Sequence, residues 1–596
     1  MPMPVLKRKK SWFGPWPECP WPPHSLFRLL LLAWVFLAFP ACASLSPSTG
    51  RDLPASNATL NRWVENTGER LHPEIQLAHP QLLGLLYRQA GFGYFWLNQE
   101  GRPTPAARLL LQDLQPWLAL EEHPRLQTYR KLADLLQSPL LQAPARHRHS
   151  RDLVISDLFL RYQEDLLSRY WTQTDETGDH GIINANETWE DWPDEVIQRT
   201  LQQVFPRWLA ELQTLTPQAW AQARIRETRP LEELYQPWRA AFARLQEADR
   251  AGDWPHLETS LFPGDHHPQV AQLALQLSRL GDLDTATPWL FVADSQEPQL
   301  DERLQTALKR FQRRHQLPDH GRVDEATRHR LNIPPRERMR RLAHNLRRLY
   351  HLPPQLNARH LMINLADQQL EFRENGQTRL AMRVIAGRSG QRTPIMSQWL
   401  TSLVLNPIWN VPPRIAQESI LPRARNNPGY LASRDYALVE GWHTPAHYVN
   451  LEELPEDAFT PANPSYRLVQ KAGNHNQLGR AKFRLSNQKA IYLHDTPYQQ
   501  LFQQTPRTIS SGCVRLEDAR GLVSVLLAPS ETWTPETVAS IYAEGEERYL
   551  QVRPRVAVYL MYWTAWTDAQ GQLQWREDLY HLDQFTRERQ LARQNQ

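Results

Sequence analysis

Apolar side chains recur at helical spacing through the first half of the chain. In residues 61–255, stretches with apolar positions three and four residues apart alternate with proline breaks, a pattern that predicts a helical scaffold domain. One such stripe, for which core packing is the simplest explanation, consists of Leu158, Tyr162, Leu166 and Tyr170. The acidic stretch 172–193 is predicted to be a loop. The segments predicted to be helical are 80–90, 105–118, 151–170, 195–213 and 231–249.

A shorter helical pattern covers residues 263–333. One helix is predicted to begin after Pro268, and a second places its apolar side chains on one face. We therefore expect a separate small helical module at this point of the chain. The apolar positions of the two helices are Val270, Leu273, Leu277 and Leu280, then Leu300, Leu304, Leu308 and Phe311.

The periodicity changes to that of β-strands at about residue 358. Two β-rich runs between His360 and Gly387 are joined by a turn whose Asn375-Gly376 pair is typical of a two-residue hairpin. The Pro- and Asn-rich stretch 412–479 is too long for an ordinary connection, so it is predicted to be a lid or subdomain beside a site. The other runs predicted to be strands are 399–405, 482–485, 490–493 and 556–562.

The first 43 residues have the pattern of an export signal. A basic cluster at 7–10 precedes an apolar run of 11 residues, which is shorter than the roughly 18–20 needed to span a bilayer. Ala41-Cys42-Ala43 matches a small-x-small cleavage site, so cleavage is favoured over an uncleaved anchor or lipidation at Cys42. Residues 44–60 are a polar linker. Elsewhere the sequence has no stretch of membrane-spanning length, and no multi-pass membrane domain is expected.

Length and charge narrow the class of protein. The 596 residues are enough for about four domains. The net charge of +4 comes from the predicted signal, because the remaining residues carry 63 basic and 63 acidic groups. A mature protein with equal numbers of basic and acidic groups has no overall positive potential that would attract nucleic acid. Nucleic acid is therefore not expected as a partner. Residues 309–348 hold 13 Lys and Arg against 4 Asp and Glu, a local excess that either contacts an anionic polymer or is simply solvated.

The cysteines supply the first candidate catalytic residue. Cleavage after Ala43 would leave Cys513 alone, so no intramolecular disulfide is possible and the thiol is free. It lies in the sequence Ser-Ser-Gly-Cys-Val-Arg, in which glycine permits a tight turn. His494 ends an apolar run 19 residues earlier and is placed to act as its base. Histidine pairs elsewhere lack the spacing of a zinc site, so no metal or other cofactor is expected.

These motifs resemble the signature of the L,D-transpeptidase catalytic domain of the YkuD type. The resemblance rests on Ile491–Pro497, Arg507 and Ser510–Arg515. Residues 263–333 resemble the three-helix peptidoglycan-binding domain of cell-wall enzymes. Further matching segments are Val384–Gly387, Thr393-Pro394, Asn406–Pro412, Leu478–Arg480 and Tyr562–Trp566.

The resemblance implies a multidomain α+β fold, similar to the large periplasmic subgroup of the family. A helical scaffold and a peptidoglycan-binding-like module would precede a β-rich catalytic domain at 358–568. The lid at 412–479 would be inserted in that domain, and 569–596 would form a C-terminal extension.

The resemblance also implies the roles of individual residues. Cys513 would be the nucleophile and His494 the base, with the backbone carbonyl group of Asp495 orienting the imidazole. Tyr492 and Gly512 would lie around the oxyanion, together with the Cys513 N–H group.

Two further positions follow from the same motif. Arg515 would support the loop or bind a substrate carboxylate. Ser511 stands where many small family members have histidine, so a second histidine cannot be the base.

The implied activity is cleavage between the third and fourth residues of a peptidoglycan stem tetrapeptide. D-Alanine would leave, and an amine of a second stem would resolve the thioester into a 3→3 crosslink, with a role in cell-wall biogenesis and cell shape. The expected partners are stem peptides, glycan and, as candidates, other cell-wall synthases. The alternatives are an L,D-carboxypeptidase, a lipoprotein-attaching transpeptidase, or a non-catalytic wall-binding scaffold.

Overall fold

A computed structural model describes residues 77–583 with several gaps. The predicted signal 1–43, the linker 44–60 and the loop 172–193 lie outside the described residues. The gaps within 77–583 are 121–125, 139–144, 172–193, 285–297, 354, 428, 443–445, 456–457, 460–464 and 488.

The N-terminal part of the described chain is helical, as its periodicity predicts. Thr104 and Thr216 each cap a helix that starts with proline, accepting a backbone N–H with the side-chain oxygen. Trp96, Trp208 and Trp220 are fully buried in the aromatic core. Helices α3 and α6 were not predicted from the sequence. The helices are α1 Pro80–Gln89, α2 Pro105–Leu118, α3 Leu126–Gln137, α4 Ala145–Trp171, α5 Asp194–Glu211, α6 Pro217–Glu227 and α7 Glu232–Arg250.

The small module has its own apolar core. Helices α8 (Gln269–Arg279) and α9 (Glu302–Arg314) pack their predicted apolar faces together, and α10 (Glu325–Leu331) adds Leu331 to the same core. Asp301 and Asp324 cap α9 and α10 by accepting a backbone N–H at the third helical position. Helix α11, Pro335–Leu349, follows directly and packs against α7.

The C-terminal half is built on a sheet that closes on itself. Its strand order is β11-β3-β12-β10-β9-β4-β13-β1-β2, and β2 also pairs with β3. The strands in chain order are β1 Arg359–Asn364, β2 Gln369–Glu374, β3 Gln377–Gly387, β4 Met396–Leu405, β5 Trp409–Asn410, β6 Tyr436–Glu440, β7 His447–Val449, β8 Tyr466–Gln470, β9 Ala481–Leu485, β10 Tyr492–His494, β11 Thr508–Ser510, β12 Val514–Leu516, β13 Arg548–Met561, β14 Ala565–Thr567 and β15 Leu573–Trp575.

Some predicted strand limits are corrected. The run before the Asn375-Gly376 turn is two strands, β1 and β2, and β13 begins eight residues before the predicted start. Strand β10 starts at Tyr492, although a strand was expected from Ala490. Ala490 has a φ of +56°, and the Asn487 side chain accepts the Ile491 N–H at 3.0 Å, so the local turn satisfies backbone groups that a strand would pair.

The stretch predicted as a lid forms a subdomain with a sheet of its own. Strands β5, β8, β6 and β7 pair in that order, and their core includes Trp409, Tyr436 and Leu468. Strand β5 lies before the predicted start at 412, so the subdomain begins earlier than expected. The sequence predicted no strands here. The remaining helices are α12 Pro413–Ile415, α13 Leu421–Asn426 with a π-helical turn Ala416–Ile420 between them, α14 Ala519–Leu527, α15 Pro535–Glu544, and the 3-10 turns Ser389–Gln391, Ala432–Arg434, Leu451–Glu453 and Gln499–Gln503.

The hairpin β14–β15 joins the C-terminal half to helix α11. The Asn345 side chain donates to Thr564 Oγ1 at 2.8 Å and accepts the Thr564 N–H at 2.9 Å. Tyr580 donates to the Gly387 carbonyl oxygen at 2.7 Å. The predicted start of a C-terminal extension at 569 therefore falls inside this hairpin, and residues 569–583 pack with the C-terminal half.

Candidate active site

A tight turn presents Cys513 directly before β12. Ser510 Oγ donates a hydrogen bond to the Cys513 carbonyl oxygen at 2.6 Å and accepts one from the Gly512 N–H at 3.2 Å. Gly512 has a φ of +113°, a conformation that side chains disfavour. Thr393 Oγ1 donates to the Gly512 carbonyl oxygen at 2.8 Å. The turn is thus anchored to the segment that joins β3 and β4.

The register of three strands brings the site residues to one face of the sheet. Strand β10 pairs in parallel with β12, and His494 lies opposite Arg515. Because side chains alternate between faces, Tyr492 shares the face of His494, and Cys513 shares the face of Arg515. Strand β10 also pairs with β9, where Lys482 lies opposite His494. All five side chains line one cleft.

The Cys513 thiol is half-buried and protonated in the resting state. Its Sγ donates to the Ala490 carbonyl oxygen at 3.7 Å. Burial raises the pKa of the thiol, while hydrogen bonding from Tyr492 and the positive charges of Lys482 and Arg515 oppose that rise. A base is therefore needed to form the thiolate, and two cations stabilise it once formed.

His494 is buried and held in one tautomer by the main chain. Its Nδ1 lies 2.6 Å from the Asp495 carbonyl oxygen, which can only accept, so Nδ1 carries the proton and Nε2 is the basic nitrogen. Burial, assisted by the charge of Arg515, lowers the pKa of His494 to about 3. The imidazole is therefore neutral near pH 7, with Nε2 unprotonated.

The Asp495 side chain holds the loop that carries its own carbonyl group. One carboxylate oxygen accepts the Arg480 N–H at 2.8 Å, and the other accepts the Thr496 N–H at 2.7 Å. Gly479 packs against this carboxyl group so closely that a Cβ there would overlap it. The carbonyl group thus contacts His494, whereas the side chain fixes the turn.

Two cations beside the thiol have no carboxylate partner among the described residues. Arg515 is half-buried, and its Nε is buried without a hydrogen-bond partner. Lys482 Nζ lies 4.1 Å from the centre of the Tyr492 ring. Burial lowers the pKa of both groups. Sequence reasoning missed Lys482, because its place beside His494 follows from the pairing of β9 with β10.

The thiol opens into a cleft of about 770 Å³ between the closed sheet and the lid subdomain. Tyr430 and Tyr436 line the cleft from the lid side. Its described lining contains no aspartate or glutamate, so the cleft is electropositive. The cations that line it are Arg414, Arg423, Arg434, Lys482, Lys489 and Arg515.

The other predicted site residues lie in or beside the same turn. Ser511 is exposed on the cleft, whereas Gly512 is buried and its N–H is used within the turn. Tyr492 is half-buried, with its ring 5.7 Å from that of His494. Within the described part of the chain, no group of three or more His, Cys, Asp or Glu side chains could hold a metal ion. No helix in that part is long and apolar enough to cross a membrane.

Family models match two segments of the chain. Residues 358–536 match the L,D-transpeptidase catalytic domain, and 266–331 match the family described as "Putative peptidoglycan binding domain". The C-terminal half is therefore similar to the YkuD L,D-transpeptidase catalytic domain over residues 358–536, and the small helical module is similar to the peptidoglycan-binding family over 266–331. Both resemblances stated from the sequence are confirmed.

One curated protein is similar to part of the chain. A protein of Haemophilus influenzae named "Putative L,D-transpeptidase" is 33% identical over 243 residues, which are 41% of this chain and 48% of that protein. The chain thus spans about half the length of this curated relative.

Two solved structures also match parts of the chain. The Ldtfm–avibactam carbamoyl enzyme is 10% identical with a TM-score of 0.15, covering 35% of this chain and 50% of that one. The L,D-transpeptidase from Xylanimonas cellulosilytica is 14% identical with a TM-score of 0.16, covering 51% and 99%.

Proposed function

We propose that this protein forms 3→3 peptidoglycan crosslinks by acyl transfer through Cys513. The observation that carries the proposal is the convergence of Cys513 and His494 on one face of the sheet, in a cleft lined by cations. The catalytic-domain match supports the chemistry, and the peptidoglycan-binding domain supports a wall substrate. The export pattern of residues 1–43 favours action in the periplasm, in cell-wall biogenesis and the control of cell shape.

In the first step, His494 Nε2 accepts the thiol proton and the Cys513 thiolate attacks the carbonyl carbon of the third stem residue. The bond from that carbon to the nitrogen of the terminal D-alanine breaks. The proton held by His494 passes to the leaving amine, so that D-alanine departs and a thioester remains on Sγ. The Cys513 N–H and the Tyr492 side chain are the candidates for stabilising the oxyanion.

In the second step, an amine of another stem attacks the thioester carbon. His494 accepts a proton from the attacking amine and returns one to the departing Cys513 sulfur. An amide bond forms and the thiol is regenerated. The lid subdomain covers the cleft, and we propose that it limits access of water, which would otherwise hydrolyse the thioester.

The charge of the cleft supports an anionic donor. A stem peptide has carboxylate groups, including the one on the D-alanine that leaves. On the lid side, Arg423 donates to the Tyr430 hydroxyl at 3.4 Å and Arg434 donates to the Tyr498 hydroxyl at 3.5 Å. These long hydrogen bonds leave both guanidinium charges available for carboxylates.

Three other functions remain distinguishable by their products. Water as the acceptor would make the protein an L,D-carboxypeptidase, and the amine of a lipoprotein would make it an attachment enzyme. A non-catalytic scaffold would bind peptidoglycan without changing it. The buried base beside a free thiol disfavours the scaffold, since binding alone requires neither group.

Mass spectrometry of reaction products tests the proposal. Purified disaccharide-tetrapeptides are incubated with the protein, and we expect free D-alanine and dimers joined between third residues. Tripeptides alone would indicate a carboxypeptidase, and products formed only with an added lipoprotein would indicate attachment. Unchanged tetrapeptide, with the peptidoglycan bound, would contradict the enzymatic proposal.

A further inference from the structure

A second, smaller pocket lies where the peptidoglycan-binding domain, α11 and the β14–β15 hairpin meet. Its volume is about 120 Å³. Arg330 lines it from α10, Arg338 and Arg341 from α11, and Trp575 from β15. The pocket is separate from the Cys513 cleft, with which it shares no lining residue.

Arg338 is buried in this pocket with its hydrogen bonds satisfied but its charge unbalanced. Its side chain is 2% exposed, with Nε donating to the Ile333 carbonyl oxygen at 3.0 Å and Nη1 donating to His315 Nε2 at 3.0 Å. His315 Nδ1 donates to the Phe311 carbonyl oxygen at 2.7 Å, so His315 is a neutral acceptor. The groups that accept its hydrogen bonds are therefore all neutral, and Asp282 and Glu337 attract its charge without forming an ion pair with it.

Two carboxylates at the pocket are already paired with other arginines. Asp583 pairs with Arg341 at 3.1 Å and with Arg348 at 2.7 Å. Asp367 pairs with Arg576, another lining arginine. Each of these acids is matched by at least one arginine, so neither is left to balance a further cation.

Two arginines of the pocket remain without an ion pair among the described residues. Arg330 and Arg338 form no ion pair with a described carboxylate, although Glu577 attracts Arg330 and the solvent-exposed Glu337 attracts Arg338. Arg341 Nη2 is buried and has no hydrogen-bond partner, although its Nε is paired. Uncompensated buried charge is strongly unfavourable, so this arrangement favours a bound anion.

We propose that the pocket binds a small tetrahedral dianion of the phosphate class, either free or as a monoester. A dianion balances both Arg330 and Arg338, whereas a single carboxylate balances one. Its oxygens can also accept from the unpaired Arg341 N–H, because guanidinium groups match phosphate in geometry. A water molecule needs about 10–15 Å³ of such volume, so 120 Å³ holds a phosphoryl group but excludes a glycan strand.

Calorimetric titration of the full-length protein with inorganic phosphate tests the site. We expect saturable binding to the wild type, weakened roughly tenfold in Arg330→Gln by loss of one charged contact. Arg310→Gln is the matched control, because Arg310 is exposed on α9 outside the pocket. If circular dichroism shows that Arg330→Gln is unfolded, Arg338→Lys takes its place, since it keeps the charge but loses the planar fork.

Two further titrations define the ligand. Glycerol 3-phosphate tests the monoester, and sodium chloride at matched ionic strength tests general screening. Binding of phosphate and of glycerol 3-phosphate indicates a site for esterified groups, whereas binding of phosphate alone indicates the free ion. The proposal is overturned if phosphate gives no more heat than chloride, or if the pocket variant binds phosphate as tightly as Arg310→Gln does.

Discussion

His494 and Arg515 occupy paired positions on the neighbouring parallel strands β10 and β12. The permanent positive charge of Arg515 adds to burial in disfavouring a protonated imidazole, and the pKa of His494 falls to about 3. The same charge opposes the rise in the pKa of the Cys513 thiol. Arg515 thus helps to keep the His494 imidazole neutral and also favours the thiolate form of Cys513.

The first prediction concerns His494 as the shared base of both half-reactions. His494→Gln keeps a polar side chain of similar size but removes the basic nitrogen, so acylation and deacylation should slow together, each by roughly 10²–10⁴-fold. A carbapenem-type β-lactam allows both rates to be followed by mass spectrometry. Acylation at the wild-type rate would place the base elsewhere.

The low pKa of His494 also predicts the pH profile. An ordinary histidine changes charge between about pH 5 and 8, but His494, with a pKa of about 3, stays neutral there. The thiol pKa is raised, so the thiol stays protonated. The wild-type acylation rate should therefore be nearly flat over that range. A sigmoidal acid limb with a midpoint near the usual histidine pKa of about 6.5 would contradict this electrostatic assignment.

The second prediction tests the role of Lys482. Lys482→Met removes a positive charge near the thiolate, so the pKa of Cys513 should rise by roughly one unit and alkylation by iodoacetamide at fixed pH should slow about tenfold. Lys482→Arg should retain most of the rate. Lys471→Met is the matched control, because that side chain is exposed and outside the cleft. If Lys482→Met and Lys471→Met are alkylated at the same rate, Lys482 does not stabilise the Cys513 thiolate.

The third prediction concerns the contact between Gly479 and Asp495. Gly479 has a φ of +58°, and an added Cβ would overlap the Asp495 carboxyl group. Gly545 has a φ of +74° with nothing within 4 Å of the position that a methyl group would take, so Gly545→Ala serves as the matched control. The control should lose about 1–2 kcal/mol of stability from backbone strain alone.

Gly479→Ala should lose more stability than the control and should also slow acylation. The reason is that a displaced Asp495 no longer holds its carbonyl group against His494. Denaturant unfolding and the β-lactam acylation rate measure the two effects. If both variants acylate like the wild type, the Asp495 loop is not required to orient the base.

The fourth prediction assigns the lid arginines to substrate binding. Arg423→Gln and Arg434→Gln should each raise KM for a tetrapeptide donor several-fold with little change in kcat, as loss of one charged contact implies. Alkylation of Cys513 by an uncharged reagent should not change. Arg425→Gln is the control on the same helix, since Arg425 is exposed and does not line the cleft. An equal effect of all three substitutions would indicate a general change in charge.

Local sequence patterns were sufficient for features that depend on neighbours in the chain. The spacing of Leu304, Leu308 and Phe311 predicted the face that α9 buries in its domain core. Asn375-Gly376 forms the expected tight turn between β2 and β3, with both residues at positive φ. The spacing of His494 and Cys513 was readable because each residue stands at a strand end.

Features that depend on pairing between distant segments could not be predicted in this way. Nothing near Lys482 in the sequence distinguishes it from other strand residues. Its position opposite His494 follows only from the register of β9 and β10. The strands of the lid are short and are interrupted by proline and asparagine, so alternation is too brief to detect. In the sequence, the arginines around Arg338 have the pattern of a solvated basic run. In the structure, three elements enclose them.

The account rests on an acyl group that is carried by Cys513 and delivered to an amine. Intact-protein mass spectrometry after brief exposure to disaccharide-tetrapeptide measures this directly, with Cys513→Ala as the control. We predict an adduct with the mass of the tripeptide acyl group, located on the peptide that contains Cys513 and absent from the control. When an acceptor stem is added, the adduct should be lost as the 3→3 dimer appears. An adduct that retains D-alanine, that lies on another residue, or that persists in Cys513→Ala would contradict it.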